Sequence, residues 1–134
     1  MYPTDIGLLI ASYDFSLKKA LLEDTALEDS GKGLIIGTAK GGLYEALAAD
    51  MLTKNGHTNI YFYKDDKSTA ELEFIIPSEH GFLPIEIKAG KKRANSLYNI
   101  LENSQIPFGY KLSSQNVGQT DKKITLPLYM LMFI

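Results

Sequence analysis

The sequence predicts an α/β domain in which a mixed central sheet is flanked by helices. Three observations carry that expectation. Leu43, Leu47 and Met51 recur every four residues with Tyr44 and Ala48 beside them, the stripe of an amphipathic helix. Two runs, 71–76 and 82–88, alternate apolar and polar residues on either side of a short polar turn. A second helical pattern, Ala94, Leu97 and Leu101, precedes further strand-like segments. From Gly41 the order reads α-β-β-β-α-β-β, which requires a mixed sheet with helices packed on it.

Each element has its own local warrant. Residues 6–10 form a short apolar stretch, read as a strand. A helix follows from Asp14 or Ser16, with Leu17, Ala20 and Leu21 on one face. Residues 24–40 mix charge, glycine and a short apolar piece at 34–36, and read as a connection. The chain thus divides into an N-terminal strand–helix extension, 1–40, and a core domain, 41–134. In the core, Gly42 serves as N-cap with Glu45 at N3, and Asn55–Gly56 is a stop signal. Residues 59–63 are aromatic-rich and short, a strand, and 65–68 are a polar turn. Leu72, Phe74 and Ile76 share one face of the next strand, with Glu71 and Glu73 on the other. Ser78-Glu79-His80-Gly81 turns the chain into a partner strand with Leu83, Ile85 and Ile87 inward and Glu86 and Lys88 opposite. The second helix ends before Pro107, and 108–112 and 124–134 supply the last strands.

Composition narrows the function by exclusion. At 134 residues, 45% hydrophobic and 22% charged, the chain is one domain's worth of ordinary globular sequence, not a disordered or low-complexity one. The absence of cysteine removes disulfides, thiolate zinc sites, iron–sulfur clusters and cysteine nucleophiles. A net charge of -2 and a pI near 5.6 leave only local basic patches for nucleic acid. The first fifteen residues hold Asp5 and Asp14 and no basic n-region, so no secretory leader is expected. The most apolar run, from Leu126 to the end, is broken by Pro127 and too short for a bilayer. A cytoplasmic protein without membrane contact is the expectation.

Chemistry concentrates on the hairpin. Alternation places Glu73, Glu86 and Lys88 on the non-core faces of two neighbouring strands. Paired carboxylates repel unless a cation lies between them, and a hard divalent ion, Mg²⁺ or Mn²⁺, takes such oxygen ligands. A nearby ammonium can then orient an attacking water and stabilise charge on a phosphoryl group. The alternative for the same residues is a solvated face with cross-strand Glu–Lys pairs, each worth less than ~1 kcal/mol.

Three blocks in this order, Gly42-Leu-Tyr-Glu-Ala-Leu-Ala-Ala, Ala70-Glu-Leu-Glu-Phe-Ile-Ile and Pro84-Ile-Glu-Ile-Lys-Ala-Gly, resemble the restriction-endonuclease-like superfamily with its PD-(D/E)xK signature. More closely they resemble the domain of unknown function fused behind the ATPase module of prokaryotic AAA-type ATPases. The opening Tyr2-Pro-Thr-Asp-Ile-Gly-Leu-Leu and the closing Leu126-Pro-Leu-Tyr extend the likeness over nearly the whole chain. The resemblance implies a restriction-endonuclease-like core and a metal site of Glu45, Glu73 and Glu86 holding Mg²⁺ or Mn²⁺. It further implies that Glu73, Glu86 and Lys88 are catalytic, with Lys88 completing the (D/E)xK pair. Glu73 departs from the usual aspartate, its extra methylene moving the carboxylate by about 1.5 Å. An ATPase module is the implied partner.

Lys91, Lys92 and Arg93 follow the hairpin and open the second helix, where positive charge opposes the helix dipole but suits a bound phosphate. They are expected to touch nucleic-acid backbone, the alternative being a solvated charge cluster. Gly31-Lys-Gly and Gly37-Thr-Ala-Lys-Gly-Gly match neither phosphate-loop pattern, so no ATP site is expected in this chain. His57 and His80 stand alone in turns and carry no metal expectation. The leading expectation is a metal-dependent nuclease-like domain of an ATPase, hydrolysing nucleic-acid phosphodiesters. The alternatives are a catalytically silent module of the same fold that docks an ATPase or partner, and a nucleic-acid binder without cleavage.

Overall fold

The computed structural model describes residues 5–23, 31–64, 71–79, 81–88, 95–103 and 105–134. Lys91, Lys92, Arg93, Ala94 and His80, and the polar turn expected at 65–68, lie outside the described residues. The chain divides into two compact units, Met1–Asp50 and Met51–Ile134.

The first unit is helical. Helix α1 spans Ile6–Ser12, and the Asp5 carboxylate caps it by accepting the Leu8 N–H at 3.0 Å. The strand expected at 6–10 is therefore a helix: the five-residue apolar run fits either period, and the Asp5 cap decides it. Helix α2, Phe15–Glu23, starts where expected, its first turn held by Asp14, which accepts from the N–H groups of Ser16 and Leu17 and from the Ser16 hydroxyl. Helix α3, Gly31–Lys54, begins well before Gly42. The piece at 34–36 is helical, and Gly42 and Glu45 are interior residues of α3, not a cap. Interior glycine costs a helix only about 1 kcal/mol per residue, which a helix of 24 residues absorbs. Residue 40, the expected domain boundary, lies within it.

The end of α3 opens the second unit. Gly56 takes φ +94°, a conformation glycine adopts without strain, and its N–H bonds Thr53 O while that of His57 bonds Leu52 O. This paired closure satisfies the last carbonyls and confirms the Asn55–Gly56 stop. The Asn55 amide donates to Leu131 O at 3.1 Å, and His57 Nε2 lies 3.1 Å from Ile134 O.

The unit is built on a six-stranded mixed sheet: β1 Tyr61–Lys64, β2 Glu71–Ser78, β3 Gly81–Ile87, β4 Gly109–Ser113, β5 Gly118–Thr120 and β6 Lys123–Pro127. Strand order is β1-β2-β3-β4-β6-β5. The first three strands run antiparallel as a meander, β3–β4 and β4–β6 are parallel, and β5 closes the far edge antiparallel. Helix α4, Asn95–Leu101, makes the crossover that a parallel β3–β4 pair requires. A 3-10 turn, Leu128–Phe133, ends the chain with Leu131 fully buried.

Two differences from the sequence expectation concern the C-terminal strands. The last strand stops at Pro127, and the apolar residues after it form the 3-10 turn; proline carries no N–H with which to continue the ladder. Strand β5, all exposed and only three residues long, carries no apolar alternation by which it could be read.

On β2 the core follows the alternation; β3 is buried on both faces from Leu83 to Ile87, so Glu86, expected on a non-core face, is buried as well. Leu72, Phe74 and Ile76 on β2 and Leu83, Ile85 and Ile87 on β3 are all buried. Leu97 and Leu101 of α4 cluster with Leu72, and Ile75, Ile100 and Ile106 pack around them. Gly109 permits this approach: a Cβ there would lie 2.8 Å from Leu97 Cδ1 and 3.0 Å from Pro84 O. A larger residue on β4 would push α4 away from the sheet.

Candidate functional site

The hairpin register builds the site. Phe74 pairs with Ile85 across β2 and β3, so Glu73 falls opposite Glu86 on the same face. Lys88 follows two residues on and returns to that face, its backbone N–H bonded to Leu112 O at 2.9 Å. The structure therefore brings together three of the residues predicted from the sequence.

Their contacts are close. Lys88 Nζ lies 2.8 Å from Glu73 Oε1 and 3.0 Å from Glu86 Oε1. The other oxygen of Glu73 accepts the Ile87 N–H at 3.2 Å. That of Glu86 accepts the Leu97 N–H at 2.9 Å, in the first turn of α4, where a carboxylate meets the positive end of the peptide dipoles. Among the described residues, the partner of the buried Glu86 Oε1 is the Lys88 ammonium. Exposure falls steeply across the group: 25% for the Lys88 side chain, 14% for Glu73 and 1% for Glu86.

Burial and pairing oppose each other here. Burial pushes the Glu86 carboxyl above its ordinary pKa; the Lys88 ammonium and the Leu97 N–H act against that, and the Glu73 charge adds to it. For Lys88, burial pulls downward, but Glu73 and Glu86 together outweigh it and hold the ammonium above the ordinary lysine value. Lys88 thus stays a cation, suited to holding an anion or donating hydrogen bonds rather than to accepting a proton.

Glu45 stands on α3 in the helical unit, half-buried, while the hairpin trio belongs to the sheet unit. Glu71, on the same strand as Glu73, is instead exposed and paired with Lys64 at 2.6 Å. Among the described residues, no group of three or more His, Cys, Asp or Glu side chains is placed to hold a metal ion. No helix is long and apolar enough to cross a membrane among the described residues.

Sequence reasoning missed the neighbours on β4. The parallel register sets Lys111 beside Glu86, and Thr125 of β6 beside Lys111, so one polar row crosses four strands. Lys111 is 6% exposed and donates to Gln115 Oε1 at 3.0 Å; Ser113, also buried, accepts the Gln115 N–H at 3.2 Å. The available signal was the alternation of Lys111 and Ser113 with Tyr110 and Leu112. That pattern gives β4 a polar face, but the strand order alone says whose face it joins.

Comparison with known proteins yields one match. A model for a domain of unknown function, DUF4143, matches residues 40–130. No curated protein and no solved structure matches the chain. The matched segment takes in the end of α3, the hairpin trio, α4, and the sheet as far as β6. Covering well over half of the sequence, it shows that the chain belongs to the DUF4143 family.

Proposed function

We propose that the sheet unit is a nuclease-type domain, with a restriction-endonuclease-like core, that hydrolyses nucleic-acid phosphodiesters with Mg²⁺ or Mn²⁺ as part of an ATPase. The observation that carries this reading is the convergence of Glu73 Oε1 and Glu86 Oε1 on a single cation, Lys88 Nζ, at 2.8 and 3.0 Å. The ATPase association and the nuclease assignment come from the likeness of the hairpin and helix motifs.

The donor set fits a hard divalent ion of the magnesium type, which uses one or two carboxylates and completes its sphere with water and substrate oxygens rather than with a protein cage. Glu86 Oε1, buried and paired with the Lys88 ammonium, already takes a cation, which supports the reading. Glu73 and Glu86 would hold the ion. A bound divalent ion supplies Lewis-acid activation of the phosphoryl group. Lys88, held as a cation, would stabilise the charge that develops on a non-bridging phosphate oxygen. Its remaining N–H groups would orient the attacking water.

A second reading rests on one observation. Glu86 is 1% exposed, and Lys88 already neutralises it, which is the arrangement of a structural ion pair. On that reading the domain is a silent docking module that keeps the fold and has lost the chemistry.

Hydrolysis of end-labelled DNA and RNA oligonucleotides in Mg²⁺ and in Mn²⁺ separates the two. The nuclease reading expects products with the intact chain and none with Glu73→Gln, which preserves size and hydrogen bonding but removes a charge. Absence of product from the intact chain under both ions favours the silent module.

A further inference from the structure

Four lysine and glutamate side chains share the polar face of β2, β3 and β4, and their pairing is uneven. Lys88 has two carboxylates. Lys111, one strand further on, has none at ion-pair distance among the described residues, and neither has Lys123, half-buried on β6. The acceptor found for Lys111 Nζ is the neutral amide oxygen of Gln115. An ammonium has three protons to place, and a residue 6% exposed has little water to place them on.

Charge sharpens the point. The groups facing Lys111 are Glu86 from β3, Lys88 just after it, Lys123 from β6 and the Gln115 amide. Lys123 and Lys88 crowd the Lys111 ammonium with like charge, and Glu86 alone offsets them. Two cations with no carboxylate of their own, one of them buried, are held on a sheet face by the parallel β3–β4–β6 register. Lys88, Gln115 and Lys123 are only partly buried, so solvent reaches the edge of this group. A bound anion would supply the missing acceptor and relieve the like-charge crowding together.

We propose that Lys111, with Lys123 beside it, forms an anion subsite next to Glu86 that takes the non-bridging oxygens of a nucleic-acid phosphodiester. The choice of anion rests on the phosphodiester reading given above. The placement of the subsite rests on the strand register, and it extends the site from the β2–β3 hairpin onto β4 and β6. Lys111 is thereby a binding residue for substrate, and Lys88 keeps its separate role beside the carboxylates.

The test is fluorescence anisotropy of a short labelled DNA duplex with the full chain in EDTA, where neither metal binding nor hydrolysis contributes. Lys111→Met should weaken binding about ten-fold and reduce the slope of log affinity against log salt by about one. Lys123→Met should weaken it by a smaller factor, and Lys64→Met, on the far edge of the sheet, should leave it unchanged. The melting temperature of Lys111→Met should hold or rise, since a buried cation is replaced by an apolar residue of similar length. Affinity of Lys111→Met equal to that of the unsubstituted chain overturns the proposal, as does an unsubstituted chain that fails to bind the duplex. If Lys111→Met does not fold, Lys123→Met carries the test, and undiminished binding by that variant overturns the proposal. Duplex binding through Lys111 in a chain that takes up no Mn²⁺ would contradict the hydrolytic reading alone. Mn²⁺ uptake with Lys111-independent duplex binding would contradict this one alone.

Discussion

Two lysine–glutamate contacts use glutamates two residues apart on β2, Glu71 and Glu73, and they are not the same interaction. Lys64 and Glu71 meet at 2.6 Å across the edge strand β1 and its neighbour β2, with side chains 60% and 63% exposed. Lys88 meets Glu73 and Glu86 at 2.8 and 3.0 Å with exposures of 25%, 14% and 1%. The shorter contact is the weaker one for function, because water and salt screen it and both side chains must be ordered to make it. The inner group has lost most of that water. Its charges act over a lower dielectric, and burial works against the charge on both Glu86 and Lys88. Distance alone does not locate chemistry; distance with burial does.

The largest expected consequence of that contrast is in stability. Lys88→Met leaves two carboxylates facing each other, and breaking such a buried pair costs about 3 kcal/mol, measurable by urea unfolding at neutral pH. The deficit should shrink in mild acid, where Glu86 can take a proton instead. Both Lys64→Met and Glu71→Gln should move the urea midpoint far less than Lys88→Met. A Lys88→Met protein as stable as its parent would erase the distinction between the two contacts.

Next in size is a substitution that disturbs the frame around the inner group without touching a charge. Gly109→Ala sets a methyl 2.8 Å from Leu97 Cδ1 and 3.0 Å from the Pro84 carbonyl, which has no flexible end to yield. Overpacking of this kind costs about 1–3 kcal/mol. It should also loosen the Leu97 N–H from Glu86, readable as faster hydrogen exchange at Leu97. The outer pair depends on no such frame.

A smaller effect separates the two contacts by pH. Burial raises the Glu86 pKa, so between its unfolded and folded values the native chain retains a proton that the unfolded chain has released. Stability is then greatest below the ordinary glutamate value and falls as pH rises through that window. Glu71 has the opposite sign: the Lys64 hydrogen bond and charge lower its pKa, so its contribution is lost as pH falls below the ordinary range. Lys88, raised by its two carboxylates against the pull of burial, keeps its contribution until pH exceeds the ordinary lysine value. Urea titrations at successive pH values should show the falling limb in the parent and a flatter one in Glu86→Gln.

The same contrast shows what was legible in the sequence. Glu73, Glu86 and Lys88 could be placed together because a short hairpin fixes register and a period of two fixes faces; both rules are local. The α3 stop at Asn55–Gly56 was legible for the same reason, since the cap is made within six residues. Lys111 was not, because β4 reaches β3 through the α4 crossover, and strand order is decided by packing at long range. Nor was the Leu97 N–H that Glu86 accepts, which comes from that crossover helix. The helical identity of residues 6–10 turned on one capping carboxylate outside the apolar run. The last strand was overread because apolar composition does not distinguish a ladder from a 3-10 turn, and Pro127 was the residue that should have ended it.

The central claim is that Glu73 and Glu86 are a cation site held ready by Lys88. Calorimetric titration of Mn²⁺ into the full chain, Glu86→Gln and Glu71→Gln tests it most directly. Glutamine at 86 keeps an oxygen for the Leu97 N–H and removes only the charge. The expected result is saturable uptake of about one ion per chain by the parent and by Glu71→Gln, lost in Glu86→Gln. Uptake that is absent in all three, or equal in all three, contradicts the claim and leaves the trio as a structural ion pair.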